Sequence, residues 1–160
     1  MIDVEEMLGR LAEHQQTVAV AESITGGQLL ATLTAVPGAS QVVSGGMVVY
    51  ATDAKTLLAG VPRELLDSVG PVDPQVARAL AEGARARLRA TFGVGVTGVA
   101  GPSGQAGHPV GEVHLAVAGP LGVVTATRDF AALAERAAIR LAACEAAVSL
   151  LDAVSRESVR

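Results

Sequence analysis

Lys55 is the only lysine in the chain and Tyr50 the only tyrosine, and they share the run Tyr50-Ala51-Thr52-Asp53-Ala54-Lys55. Apart from three histidines, every other basic side chain is arginine. Arginine stays protonated in proteins, whereas a buried lysine can lose its proton and act as a base. Against that background Lys55 is a candidate base, and Tyr50 a candidate to relay or orient a proton beside it. A surface lysine with no special task is the plainer alternative. Asp53 is the counterweight, because a salt bridge from it would keep Lys55 charged.

A base needs a partner, and Ala21-Glu22-Ser23-Ile24-Thr25-Gly26-Gly27 offers one. A serine between a buried strand and a helix start lies near free backbone N–H groups, which suit an anion or the oxyanion of an acyl-transfer reaction. With Lys55 it would form a serine–lysine nucleophile–base pair. Equally, Ser23 or Thr25 is simply a helix N-cap, with Gly26 and Gly27 permitting close packing. A second glycine-rich segment is Val96-Thr97-Gly98-Val99-Ala100-Gly101-Pro102-Ser103-Gly104. It matches neither the phosphate-loop nor the dinucleotide fingerprint, so it either lines a ligand with N–H groups or merely connects two elements. Arg136 and Arg140, four residues apart, fall on one helix face and suit a phosphate or carboxylate, or form a solvated stripe. His14, His108 and His114 are scattered in sequence without ligand spacing, so no protein-bound metal is expected. Cys144 sits in an apolar, alanine-rich run and reads as a buried structural thiol.

These groups need elements to hold them. Apolar periodicity predicts a helix over 3–15, a buried strand over 17–21 and a helix over 28–34. Residues 41–50 read as a strand interrupted at Gly45-Gly46, either two strands or one with a bulge, with Tyr50 at its end. Thr52 or Asp53 can cap a helix over 52–58. A short helix over 62–68 follows, and Asp73-Pro74 opens a helix to about residue 90. A strand over 92–96, a hairpin of 112–118 with 123–128, and a helix over 131–153 complete the chain. Strands alternating with helices, plus one hairpin, indicate an α/β fold: one domain over 1–160, a three-layer sandwich with a mixed sheet between helices.

Composition narrows the function. Half of the residues are hydrophobic but only 2% are aromatic, and the net charge is −4. With no basic surplus and few stacking rings, a nucleic-acid surface is not expected. No apolar run is long enough to span a membrane and no secretory leader stands at the start, which favours a cytoplasmic protein.

Taken in order, Ala21-Glu22-Ser23-x-Thr25-Gly26-Gly27, Val36-Pro37-Gly38-Ala39-Ser40, Tyr50-x-x-x-Ala54-Lys55, Val96-Thr97-Gly98-Val99-Ala100-Gly101-Pro102 and Pro109-Val110-Gly111 resemble the CinA C-terminal domain family, the nicotinamide-nucleotide amidases. The resemblance runs over nearly the whole chain. It implies hydrolysis of nicotinamide mononucleotide to nicotinic acid mononucleotide and ammonia, without a cofactor. Ser23 would be the nucleophile and Lys55 its base, with Tyr50 assisting. Thr25, Gly26, Gly27, Thr97, Gly98, Ala100, Gly101, Arg136 and Arg140 would bind the nucleotide substrate. A homo-oligomer is implied as well. The N-terminal pyrophosphatase-like domain that many members carry is not expected in these 160 residues. The chain departs from the family pattern at Ile24, where cysteine is usual, at Asp73 and at Ser103. A nucleotide-binding module without catalysis is the alternative reading.

Overall fold

A computed structural model gives the fold and describes residues 2–158. Helix α1 (Val4–Glu13) is capped by the Asp3 carboxylate, which accepts from the N–H groups of Glu5 and Glu6. Strand β1 (Val18–Glu22), helix α2 (Gln28–Thr34), strand β2 (Val43–Val48) and helices α3 (Thr52–Ala59), α4 (Arg63–Val69) and α5 (Pro74–Arg87) follow. Asp73 caps α5 by accepting from Gln75 N–H at 2.7 Å, with Pro74 as its first residue. Strands β3 (Phe92–Gly98), β4 (Glu112–Gly119) and β5 (Gly122–Asp129) precede the long helix α6 (Arg136–Glu157).

The sheet order is β2-β1-β3-β4-β5. Strand β1 runs parallel to both β2 and β3, whereas β3, β4 and β5 are antiparallel neighbours. Leaving β1, the chain goes first to β2 on one side and later to β3 on the other. A crevice therefore opens at the carboxyl ends of these three strands, where open α/β sheets bind ligands.

Alternation along each strand sends side chains into two cores. Val18, Val20, Phe92, Val94, Leu115 and Val117 pack with Met7, Leu29, Leu33, Ile139 and Ala143 of α1, α2 and α6. On the opposite face Ala19 and Ala21 meet Val61, Leu66, Val76 and Leu80 around α3, α4 and α5. There α5 comes so close that a Cβ on Gly95 would lie 2.2 Å from the Ala77 carbonyl oxygen. This backbone contact is how a chain with few aromatics fills a core without voids.

Residues 43–48 form one strand with a bulge, one of the two forms expected there: Val18 pairs with Val43 but Ala19 with Gly45, so Ser44 is passed over. Two local expectations change. Neither Thr52 nor Asp53 caps α3; the cap position is Ala51, which makes no side-chain bond. Finally, 131–153 is not one helix. Ala131–Leu133 is a separate 3-10 turn, Ala134 takes a positive φ of 56°, and α6 starts at Arg136. That break puts Arg136 at the mouth of the crevice. Among the described residues no helix is long and apolar enough to cross a membrane.

Candidate active site

Ser23 is the first residue after β1, and its N–H donates to the Val96 carbonyl of β3 at 3.0 Å. The chain then turns sharply, with Gly27 at φ 100° in the left-handed region that favours glycine. The N-terminus of α2 is satisfied from an unexpected side. The buried Glu22 carboxylate accepts from Gly27 and Leu29 N–H at 3.0 Å and from Leu30 N–H at 2.9 Å. A carboxylate is the favoured occupant of a helix N-terminus, so Glu22 does the work that Ser23 or Thr25 was considered for. Arg140 braces the same turn, its Nε donating to Ile24 O at 3.1 Å and its Nη2 to Thr25 O at 2.8 Å. Ser23 is thus left uncommitted as a cap, on a turn fixed from both sides.

Lys55 lies on the first turns of α3, 1% exposed. Its Nζ is 3.0 Å from Ser23 Oγ, 2.9 Å from Val49 O and 3.3 Å from Tyr50 O. Asp53 points elsewhere: it pairs with Arg63 at 2.6 Å, and Lys55 has no carboxylate partner among the described residues. Burial without a counter-charge disfavours the ammonium form and lowers the Lys55 pKa to about 8. The geometry serves both protonation states. The ammonium has three N–H donors for three oxygens. The neutral amine gives its two N–H groups to the carbonyls of Val49 and Tyr50, which leaves its lone pair for Ser23 O–H.

Around this pair is a cleft of about 110 Å³, partly open to solvent. Thr97, Gly98, Ala100 and Gly101 line it, as the sequence implied, along with Tyr50 and Arg136. Thr97 is buried, and its hydroxyl donates to Pro71 O at 2.7 Å, which ties β3 to the segment before α5. Arg136 spans the mouth, donating to Gly101 O and, at 2.8 Å, to Tyr50 Oη.

Several sequence-derived groups do not take the places expected of them. The Tyr50 hydroxyl is held by Arg136 rather than turned toward Ser23 or Lys55, because the strand ends at Val48 and the ring swings outward, 59% exposed. Only its carbonyl touches Lys55. Thr25, Gly26 and Gly27 form the turn itself and do not line the cleft, and Arg140, one helical turn after Arg136, is engaged by the carbonyls of Ile24 and Thr25. Conversely, Pro71, Val72 and Gln105 line the cleft unforeseen, and Ser103 lines it as the glycine-rich segment allowed. Glu22 was also missed; its signal was a carboxylate at the end of a buried strand, just before a helix start. Two of the three histidines meet in space. His108 Nδ1 and His114 Nε2 both lie 2.8 Å from Glu112 Oε1, because the loop closes back on β4.

Known proteins resemble this chain in sequence and fold. Residues 3–155 match the CinA C-terminal domain. A CinA-like protein of Anaeromyxobacter dehalogenans is 51% identical over 146 residues, covering 91% of this chain and 35% of its own length. One from Frankia casuarinae is 48% identical over 150 residues, covering 94% and 34%. The chain therefore spans about a third of the length of these relatives. Among solved structures, the competence/damage inducible protein CihA from Agrobacterium tumefaciens superposes with a TM-score of 0.87 at 40% identity, covering 97% of each chain. A CinA superfamily protein from Escherichia coli gives 0.87 at 29% identity, covering 94% of this chain and 90% of that one. With the family match over residues 3–155, about half of the positions identical in these relatives and a shared fold, the chain belongs to the CinA C-terminal domain family.

Proposed function

We propose that the cleft hydrolyses the carboxamide of nicotinamide mononucleotide to nicotinic acid mononucleotide and ammonia, with Ser23 as nucleophile and Lys55 as base. The observation that carries this reading is the 3.0 Å contact between a buried, unpaired Lys55 and the Ser23 hydroxyl. A pKa of about 8 leaves a usable fraction of neutral amine near neutral pH.

In this mechanism Ser23 Oγ bonds to the carboxamide carbon as its proton passes to Lys55 Nζ. The negative charge develops on the former carbonyl oxygen. Ile24 lines the cleft and its N–H has no acceptor among the described residues, so it is the first candidate to receive that oxygen. Ammonia leaves as the C–N bond breaks, taking the proton from Lys55, because an amide nitrogen departs poorly unless protonated. Water then attacks the acyl-enzyme, giving a proton to Lys55, and Ser23 Oγ recovers it on release of the acid. No cofactor enters this scheme. The Tyr50 carbonyl and the Val49 carbonyl aim Lys55, and the Tyr50 ring forms part of the wall. For the nucleotide phosphate, Arg136 is the cation at the mouth, and the 98–104 loop supplies backbone N–H groups. The homo-oligomer implied by the family resemblance belongs to the same reading and is checked by light scattering.

Ammonia release from nicotinamide mononucleotide by the wild type and by Ser23→Ala tests the proposal. Release by the wild type and its loss in the variant are expected. Binding of the nucleotide without any release would instead make this domain a non-catalytic nucleotide-binding module.

A further inference from the structure

We propose that His108, Glu112 and His114 form a site for a divalent transition metal of the zinc type, outside the lining of the cleft, where the end of the 98–108 loop meets β4. The side-chain donor atoms of the three residues all lie within 4.8 Å of one another. His108 Nδ1 and His114 Nε2 converge on the same oxygen, Glu112 Oε1, each at 2.8 Å. The two rings meet edge to face at 84°, so their nitrogens approach the oxygen from different directions. Donors around a tetrahedral zinc ion stand about 2.1 Å from the metal and therefore about 3.4 Å from each other. Opening this triad by roughly half an ångström would make room for the ion.

The surroundings suit a metal. His114 is buried, and its other ring nitrogen, Nδ1, lies 2.9 Å from Thr127 Oγ1. A ligating histidine generally has its second nitrogen held by such a partner, which fixes ring orientation and tautomer. Strand register makes that contact, since Thr127 of β5 is directly opposite His114 of β4. Glu112 and His114 are two apart on one strand and so share a face. His108 is positioned by reciprocal main-chain bonds with Gln105, at 2.9 and 3.0 Å, which close the tip of the loop. Among the described residues Glu112 pairs with no arginine or lysine, only with these two histidines. His108 and Glu112 are about a quarter exposed, which leaves an entry path and room for a water as fourth ligand. Two imidazoles and one carboxylate favour zinc, cobalt, nickel or copper over magnesium or calcium, which prefer all-oxygen shells.

Binding replaces two N–H···O contacts by metal bonds. Each imidazole turns a lone pair to the ion, and His114 then carries its proton on Nδ1, facing Thr127. The ion would tie the 98–108 loop, whose Ser103 and Gln105 line the cleft, to the middle of the β4–β5 hairpin. Its role is to fix that wall, and it holds whatever reaction the cleft performs.

The test uses the full chain without a histidine tag, stripped with chelator and titrated with zinc ion by calorimetry, and with cobalt ion by visible absorption. One ion per chain, tetrahedral cobalt bands and a higher melting temperature with zinc are expected. His108→Ala, at a partly exposed loop position, should fold and should bind zinc at least tenfold more weakly. Absence of saturable zinc uptake, or uptake equal in wild type and His108→Ala, overturns the proposal. The first result would leave a hydrogen-bonded clasp, and the second would place the zinc elsewhere.

Discussion

One wall of the cleft holds Ser23 and Lys55 among buried groups, on a turn bonded from beneath by Glu22 and Arg140. The facing wall is made of Tyr50, Arg136 and the 98–105 segment, where one arginine joins an exposed ring to a loop carbonyl. The first wall spends backbone N–H groups and carbonyls on fixing two side chains. Its partner closes over the opening with contacts that water can replace. The difference separates two tasks: setting a reactive pair, and admitting and holding what it reacts with. Buried groups held in one geometry suit the first, and exposed groups able to exchange partners suit the second.

The comparison predicts a graded series of effects. Lys55→Arg should lower the proposed hydrolysis by about a thousandfold or more, since arginine cannot act as the base. Ammonia release is the measurement, and retention of full rate would remove Lys55 from the first wall's chemistry. Next comes pH. The rate should rise about tenfold per unit below the Lys55 pKa and level off above about 8, because only the neutral amine accepts the proton. The chain has a single lysine, so its side-chain resonance in NMR is unambiguous and should titrate with the same midpoint.

Glu22→Gln should come third, as a loss of stability of about 2–4 kcal/mol seen in chemical denaturation. The amide keeps one acceptor oxygen where the two carboxylate oxygens accept from three N–H groups, and it sets an NH₂ against the helix N-terminus. Smallest is Tyr50→Phe, which removes the hydroxyl held by Arg136 and leaves the Lys55 contacts in place. It should change KM by only a few-fold, with kcat nearly constant. A kcat loss comparable to that of Lys55→Arg would erase the distinction between the walls and return the Tyr50 hydroxyl to the proton relay.

Much of this was legible in the chain. Asp73-Pro74 opened α5 as written, and Gln28–Thr34 is a helix with those bounds. Such features depend on neighbours in sequence. What escaped depends on closure of the fold. Arg136 and Arg140 do share a helix face, but their spacing does not say that the helix begins at Arg136, nor that Arg140 finds two carbonyls from residues 24 and 25. Glu22 reads as an ordinary strand end until the chain turns back to lay α2 across it. Glu112 and His114 were two apart on a strand, a readable pair, whereas His108 joins them only through the path of the loop.

The burial of Lys55 has a practical consequence. In most proteins lysine-directed reagents mark the surface; here the one lysine side chain is sealed in the interior. Its acylation must wait for the floor of the cleft to open, so the labelling rate is a clock for local unfolding. A ligand that occupies the cleft should slow that clock, giving a readout of binding that needs neither turnover nor a labelled substrate.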